Sequence, residues 1–235
     1  MSNSTRDQFN DLLRSEGLNA GIIPVSNIPN EESRLNEVNR LGILNRDLDQ
    51  EAQYNALTQL AAIITKSQIG LINILGSNIQ QCKTNFGFNV LESTLTEEMP
   101  REISICQYSL ASPQEPLIIN DLFLDERTKH FKKLEAYENL RFYAGSPLIS
   151  SRGFSIGTLC VIDDKPKKIE HDQIEGLRLL ADQVVNMLEQ EFNDNSNQNI
   201  DPEDISNVIE TKRITKYFST SSILFADFVD FTKLV

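Results

Sequence analysis

The clearest local pattern in the chain is a pair of runs within residues 140–163 in which small or apolar residues alternate with polar ones. The two runs flank Ser-Ser-Arg-Gly at 150–153, a short turn sequence. Alternation on both sides of a short turn predicts a β-hairpin whose register the turn fixes. A second hairpin is predicted where a β-branched run at 69–75 is followed by Gly-Ser-Asn and a further run at 79–86.

Apolar residues recur at helical spacing in three stretches, which begin near Glu31, after Asp47 and near Lys168. Asp47 and Gln50 fit a capping box at the start of the second helix. The third stretch, 168–192, predicts the longest helix, with apolar residues at steps of three and four. One face of that helix can pack on a partner subunit, or the helix can simply cover its own sheet, and the pattern leaves both open.

The stretches between these elements predict smaller pieces. Residues 102–110 have the spacing of a helix, 116–119 that of a short strand, and 122–134 that of a turn or short helix. Residues 87–100 are expected to form a loop. The predicted order is therefore helix, helix, hairpin, helix, short strand, hairpin and long helix.

Composition divides the chain into four parts. Residues 1–30 are polar, contain scattered glycine and proline, and are expected to form a mobile N-terminal segment. Residues 31–192 hold the periodic elements and are expected to form one domain. Residues 193–204 have almost no apolar content and include Pro202, which is typical of a linker. Residues 205–235 join a short amphipathic piece to an apolar terminal strand.

The formal net charge is −12, and the acidic residues are spread along the chain. Such a surface repels phosphate groups, so nucleic acid and anionic membrane surfaces are not expected partners. The three cysteines, Cys82, Cys106 and Cys160, show no CxxC spacing, which argues against a zinc site or a disulfide framework. No window approaches the roughly 20 apolar residues of a spanning helix, and the N-terminus lacks a signal-peptide pattern, so we expect a cytoplasmic location.

Five segments resemble those of GAF domains, in the order and at the spacings of that family. They are LGILNRDLDQEAQYNALTQLAA, REISICQYSL, PLIINDLFLDERTK, LRFYAGSPLI and GTLCVIDD. The resemblance covers roughly 35–191 and implies an α+β GAF fold, a central antiparallel sheet of five or six strands with helices on both faces and long N- and C-terminal helices. It also implies a small-molecule pocket on one face and a homodimer through the N- and C-terminal helices. The interface would use Leu35, Val38, Leu177, Val184 and Leu188.

Residues 222–235 resemble the first strand of a class III adenylate or guanylate cyclase catalytic domain. The family pattern is Phe-Ala-Asp, two residues, then Gly-Phe-Thr, and residues 225–232 read FADFVDFT. Asp227 matches the family's first metal-binding aspartate, which implies a ligand to Mg²⁺ or Mn²⁺ in the parent enzyme, while Asp230 stands where the family usually has glycine. We expect the remaining catalytic residues to lie beyond Val235 and this chain alone not to be catalytically competent.

Candidate ligand-binding residues lie on the 140–163 hairpin and on the strand, helix and loop expected beside it. They are Asn73, Ser104, Cys106, Asn120, Asp121, Arg141, Tyr143, Thr158 and Cys160. Residues two apart on a strand share a face, although the sequence leaves open which face lines the pocket. Backbone amides near 120–122, if they open a helix, suit an anionic phosphate.

The resemblance also bears on which ligand to expect. GAF domains attached to cyclases often bind cyclic nucleotides, so cyclic AMP is the leading ligand. A covalent bilin is not expected, because the family's chromophore cysteine has a neighbouring histidine and none of the three cysteines has one. His130 and His171 lie in charged segments and give little support to haem. A redox role for Cys106 needs an accessible thiol of low pKa, and its apolar surroundings favour a buried structural thiol instead.

The expected function is that of a regulatory GAF domain in a class III nucleotide cyclase. A ligand would change helix packing and thereby control cyclic nucleotide synthesis from ATP or GTP. The alternative is a ligand-free GAF dimer that holds two output domains together.

Overall fold

A computed structural model describes the chain at residue 11 and over 14–48, 51–87, 98–134 and 137–198. Its centre is a six-stranded antiparallel sheet with the strand order β3-β2-β1-β6-β5-β4. The strands are β1 (Ile69–Leu75), β2 (Ile79–Phe86), β3 (Glu98–Pro100), β4 (Leu117–Ile119), β5 (Phe142–Ile149) and β6 (Ser155–Asp163). Both predicted hairpins and the predicted short strand are present. The sheet and its helices confirm the predicted α+β fold class.

The helices differ in length and type. The α-helices are α1 (14–20), α2 (Glu31–Leu41), α3 (Ala52–Thr65) and α4 (His171–Gln198). Short 3₁₀ helices occur at Ile43–Asn45, Arg101–Ile103, Ile105–Ala111 and Phe131–Lys133. The helix predicted at 168–192 is thus present as α4, and it continues through the first six residues of the expected linker. In the described part of the chain, no helix combines the length and the apolar character that crossing a membrane requires.

The two faces of the sheet carry different layers because side chains alternate along each strand. On one face, which we call the helical face, Ile72 of β1 and Leu159 of β6 pack in one apolar cluster with residues of α2, α3 and α4. On the opposite face, which we call the site face, Leu71 and Cys160 pack with Leu110 and with other residues of the 3₁₀ segments. The long helices therefore cover the helical face, while short irregular segments cover the site face.

Several local predictions need correction. Helix α3 begins at Ala52 with Glu51 as its N-cap and no side-chain capping bond, so Asp47 does not cap it. The helix predicted at 102–110 is two 3₁₀ segments, whereas 122–134 is mainly turns, one of the two forms predicted for it. Strand β3 lies in the stretch that was expected to be a loop. These errors share a cause, because short segments are shaped by the surface beneath them more than by their own periodicity.

The N-terminal segment was expected to be mobile, but residues 14–30 pack on the domain. Ala20 and Ile22 are buried in the apolar cluster of the site face. The Val25 amide donates to Gln107 Oε1 at 2.8 Å, and Lys133 Nζ donates to the Ala20 carbonyl at 2.7 Å. The N-terminal segment makes these two bonds with its backbone groups, so its side-chain composition did not reveal them.

Most of the residues expected at a dimer interface are used inside the subunit instead. Val38 is 1% exposed, and Leu177, Val184 and Leu188 are fully buried in the cluster of the helical face. Leu35 is partly exposed. The apolar residues at steps of three and four along α4 therefore lie on the side that covers its own sheet. Of the two options left open by the sequence, the structure shows this one and not packing on a partner subunit for these residues.

Candidate functional site

The site face holds a buried cluster of polar side chains at the centre of the sheet. Asn73 of β1 lies opposite Thr158 of β6, and Cys160 follows two residues further along β6 on the same face. Tyr143 of β5 and Cys106 of the 3₁₀ helix Ile105–Ala111 complete the cluster. Each of these five residues is at most 3% exposed.

Hydrogen bonds connect the cluster. Asn73 Nδ2 donates to Cys160 Sγ at 3.3 Å and to Cys106 Sγ at 3.5 Å, and Tyr143 Oη donates to Cys106 Sγ at 3.3 Å. Asn73 Oδ1 has no hydrogen-bond partner among the described residues although it is buried. Buried polar atoms are nearly always paired, so this acceptor marks a position where a ligand or a water molecule can donate.

Tyr143 reaches the cluster by lying along its own strand over Gly145. A β-carbon on Gly145 would lie 2.8 Å from Cζ and 2.9 Å from Cε1 of the Tyr143 ring. Gly145 lies opposite Cys160 in the pairing of β5 with β6. The missing side chain at position 145 therefore gives the ring the room it needs to place its hydroxyl at Cys106.

The surrounding donors separate the acidities of the two cysteines. The neighbouring Cys160 thiol, helped by the hydrogen bonds from Tyr143 and Asn73, lowers the pKa of the Cys106 thiol to about 7 against the opposing effect of burial. The neighbouring Cys106 thiol and burial raise the pKa of Cys160 well above its usual value. Burial raises the pKa of Tyr143 well above its usual value. Cys106 is therefore the member of the cluster that ionises first.

The charged residues predicted for the site pair with each other at its edge. Arg141 donates to Asp121 through Nε at 3.0 Å and Nη2 at 2.6 Å, and its guanidinium lies 4.6 Å from the centroid of the Phe123 ring. These bonds hold the pKa of Asp121 below its usual value. The amides of Leu122 and Phe123 already donate, to the Arg141 carbonyl and to Asp121 Oδ1. No helix begins at 120–122, so the condition under which an anion site was expected there is not met.

The structure brings together five of the nine predicted ligand residues and separates the other four. Arg141 and Asp121 form the edge pair, and Asn120 is exposed with its carbonyl accepting from the Lys167 amide at 3.1 Å. Ser104 caps the 3₁₀ helix Ile105–Ala111 by accepting from the Gln107 amide at 3.3 Å. These four residues shape the surroundings of the cluster rather than the cluster itself.

Sequence reasoning missed Tyr137, which contacts the short 3₁₀ helices that cover the site face. Its hydroxyl donates to the Ile103 carbonyl at 3.1 Å, and its ring packs edge-on against Phe131 with centroids 4.9 Å apart. Tyr137 lies in an irregular stretch without periodicity, so no pattern pointed to it. Asp227, the predicted metal ligand, lies outside the described residues. Within the described residues, no group of three or more His, Cys, Asp or Glu side chains is arranged to hold a metal ion.

Comparison with solved structures agrees with this architecture. The GAF domain of an Acinetobacter phosphoenolpyruvate-protein phosphotransferase aligns with a TM-score of 0.50 at 14% identity, covering 75% of this chain and 100% of that one. The GAF domain of PixJ from Thermosynechococcus elongatus, in its blue-light absorbing form, aligns with a TM-score of 0.50 at 14% identity, covering 72% of this chain and 95% of that one. At these identities the likeness shows the fold alone.

Sequence comparison identifies the family. A curated relative, the cyclic di-GMP phosphodiesterase PA2567 of Pseudomonas aeruginosa, is 29% identical over 137 residues, which are 58% of this chain and 22% of the relative. This chain thus spans less than a quarter of that relative's length. The family model described as GAF domain matches residues 49–188. Because that match covers more than half of the chain, the chain belongs to the GAF domain family.

Proposed function

We propose that this chain is the regulatory domain of a nucleotide-signalling enzyme and that it binds a small polar ligand on its site face. The observation that carries the proposal is the buried Asn73 Oδ1, an acceptor without a partner among the described residues. It lies in a polar cluster at the centre of a GAF sheet. A ligand with an N–H or O–H group would satisfy it and remove the cost of an unpaired buried acceptor.

Cyclic AMP remains the leading ligand by family resemblance. Its exocyclic amino group is a donor of the kind that Asn73 Oδ1 lacks. Its phosphate needs a cation, and Arg141 is the predicted ligand residue that can supply one. Since Arg141 is paired with Asp121, binding of a cyclic nucleotide would require the guanidinium to share or leave that carboxylate. A neutral ligand would avoid this cost.

The route from the site to the output runs through β6 and α4. Thr158 and Cys160 face the site, whereas the alternate residues Leu159 and Val161 pack in the same apolar cluster as Leu177 of α4. A ligand that moves β6 therefore changes the surface on which α4 rests. Such a change regulates an output only if the ligand prefers one of two arrangements.

Helix α4 is also fixed to the rest of the domain at residues 189 and 191. Glu191 accepts from Tyr54 Oη at 2.8 Å and from Gln53 Nε2 at 2.8 Å, and Glu189 accepts from the Ser151 amide at 2.8 Å. These bonds join α4, at residues 189 and 191, to α3 and to the β5–β6 turn. We propose that this region transmits the change in α4 to the output.

For the output, we propose a class III nucleotide cyclase that makes cyclic AMP or cyclic GMP from ATP or GTP. Support comes from the resemblance of residues 222–235 to the first strand of that catalytic domain, with Asp227 as a ligand to Mg²⁺ or Mn²⁺. The relative from Pseudomonas aeruginosa is named as a cyclic di-GMP phosphodiesterase, which also couples a nucleotide-signalling enzyme to a similar segment. In the full-length protein, Asp227→Ala should abolish cyclisation of ATP or GTP with Mn²⁺. Retained activity would remove Asp227 from the metal site.

The second candidate function is dimerisation without a ligand, and exposed apolar residues on two neighbouring helices favour it. Ile63 of α3 is 59% exposed and Leu179 of α4 is 66% exposed. A β-carbon on Gly176 would lie 3.0 Å from Ile64, so α3 and α4 approach closely beside these two residues. We propose a homodimer that buries Ile63 and Leu179 in place of the interface residues expected from the sequence.

Calorimetric titration separates the two functions. The chain is titrated with cyclic AMP, cyclic GMP and cyclic di-GMP, and Asn73→Leu should weaken binding about tenfold or more, since each 1.4 kcal/mol is tenfold in affinity. Thr84→Val is the matched control, because Thr84 is a buried strand residue that hydrogen-bonds Asn55 away from the site. Absence of heat with every nucleotide would refute the nucleotide proposal and leave dimerisation as the function.

A further inference from the structure

The two buried cysteines of the site face lie side by side. Asn73 Nδ2 donates to both sulfurs, at 3.5 Å to Cys106 Sγ and at 3.3 Å to Cys160 Sγ, and each thiol shifts the pKa of the other. We propose that Cys106 and Cys160 are a redox-active pair that hydrogen peroxide converts to an intramolecular disulfide. This inference does not depend on nucleotide binding, since the two sulfurs and the oxidant are its only reactants.

The surroundings give the two sulfurs different roles. Cys106 Sγ receives hydrogen bonds from Tyr143 Oη and Asn73 Nδ2, which favour its thiolate form. The neighbouring Cys106 thiol and burial raise the pKa of Cys160, so Cys160 keeps its proton. The thiolate is the form of cysteine that attacks peroxide, so Cys106 is the attacking residue and Cys160 is the residue that closes the disulfide.

The chemistry proceeds in two balanced steps. The Cys106 thiolate attacks one oxygen of the peroxide, the O–O bond breaks, and the departing hydroxide takes up a proton to become water, leaving a sulfenic acid on Cys106. The Cys160 sulfur then attacks that sulfur, the S–S bond forms, the S–O bond breaks, and the departing hydroxide leaves as water with the Cys160 proton. Two thiols are oxidised to one disulfide, and the peroxide is reduced to two molecules of water.

Access to the pair depends on the segment that carries Cys106. Cys106 is 3% exposed and Cys160 is fully buried, so the oxidant reaches them through a local opening. The 3₁₀ helix Ile105–Ala111 has seven residues, and 3₁₀ runs longer than about four are uncommon because their hydrogen bonds are poorer than those of an α-helix. This segment is therefore expected to open before the central strands do. Cys160 lies on a central strand, so Cys106 should meet the oxidant first.

The test is thiol counting with peptide mapping on the native full chain. The reduced protein, which has free thiols at Cys82, Cys106 and Cys160, is treated with a small excess of hydrogen peroxide. We expect the thiol count to fall from three to one per chain and to return to three with dithiothreitol. Mass spectrometry should find the Cys106 and Cys160 peptides joined within one chain. Cys82→Ser is the matched control and should form the same disulfide.

The variant Cys160→Ala gives a second test of the same assignment, beside the peptide map of the wild-type chain. In Cys160→Ala, Cys106 cannot close a disulfide with Cys160, so a dimedone adduct of its sulfenic acid should accumulate. If that variant does not fold, the peptide map of the wild-type chain decides by itself. Retention of three thiols, or a disulfide that includes Cys82, would overturn the assignment.

Discussion

Gly145 is placed so that one added methyl group would strike the ring of Tyr143. A β-carbon at position 145 would lie within 2.9 Å of two ring carbons, Cζ and Cε1, which is closer than real carbon contacts allow. Tyr143 is 1% exposed, so the ring has little room to move aside. The substitution Gly145→Ala therefore forces either the ring or strand β5 out of place.

Two opposing contributions, the cost of overpacking and the gain from replacing glycine, set the expected change in the free energy of unfolding. Overpacking a well-filled core costs about 1–3 kcal/mol. Alanine in a strand gains about 0.5–1 kcal/mol over glycine because the unfolded chain loses less entropy. Gly145→Ala should therefore destabilise the wild-type protein by about 1–2 kcal/mol, and at about 2–4 °C per kcal/mol this lowers the melting temperature by several degrees. In a Tyr143→Ala background the clash is gone, so the same change should be neutral or slightly stabilising.

The assay is urea unfolding of the two single variants and the double variant, which gives the coupling energy between positions 143 and 145. The matched control is Gly157→Ala, because a β-carbon there would press on the backbone of Asn73, with the Asn73 carbonyl carbon 3.1 Å away. Its cost should be the same with and without the Tyr143 ring. Equal costs of Gly145→Ala in both backgrounds would refute the idea that Gly145 makes room for Tyr143.

Three further predictions concern the helices. Arg40 donates twice to Glu37 and lowers the pKa of that carboxyl below 4.5. Glu37→Gln should therefore lower the free energy of unfolding by about 2 kcal/mol at pH 7. This difference between wild type and variant should vanish in unfolding measurements as the pH falls below 4.5 and through the folded-state pKa of Glu37. Glu191→Ala leaves the hydroxyl of the buried Tyr54 without this acceptor and should cost about 2 kcal/mol in urea unfolding, part of which Tyr54→Phe should restore; no restoration would show that this bond matters little. Ile63→Glu combined with Leu179→Glu should give folded monomers in sedimentation, and a persistent dimer would exclude this interface.

The parts of the fold that could be predicted are those in which a local pattern and its tertiary use coincide. The 140–163 hairpin was predictable because its alternation, its turn and its burial on both faces agree. The helix predicted at 102–110 was not, since Ile103, Cys106 and Leu110 are buried as predicted but lie on two 3₁₀ segments. Inward spacing alone does not distinguish these helix types over so few residues.

The candidate site was predictable only in part, because two of the predicted residues form an ion pair with each other. Tyr143, Thr158 and Cys160 share the site face because strand alternation requires it. Arg141 and Asp121 have equally suitable chemistry for a ligand, but each is the other's partner. Their positions 20 residues apart in the chain gave no sign of that bond. Sequence shows which polar groups are present, whereas availability to a ligand depends on contacts that only the fold creates.

The same distinction changes the significance of the cysteines. In the sequence Cys106 has an apolar helical spacing and no basic neighbour, which favours an inert buried thiol. In the structure its sulfur is indeed buried, yet hydrogen bonds from Tyr143 and Asn73 reach it. Donors stabilise a thiolate without any positive charge, so the absence of a basic neighbour is not enough to make a cysteine unreactive. Burial then controls when Cys106 meets an oxidant. The hydrogen-bond donors around its sulfur control whether the thiol is ionised and can attack that oxidant.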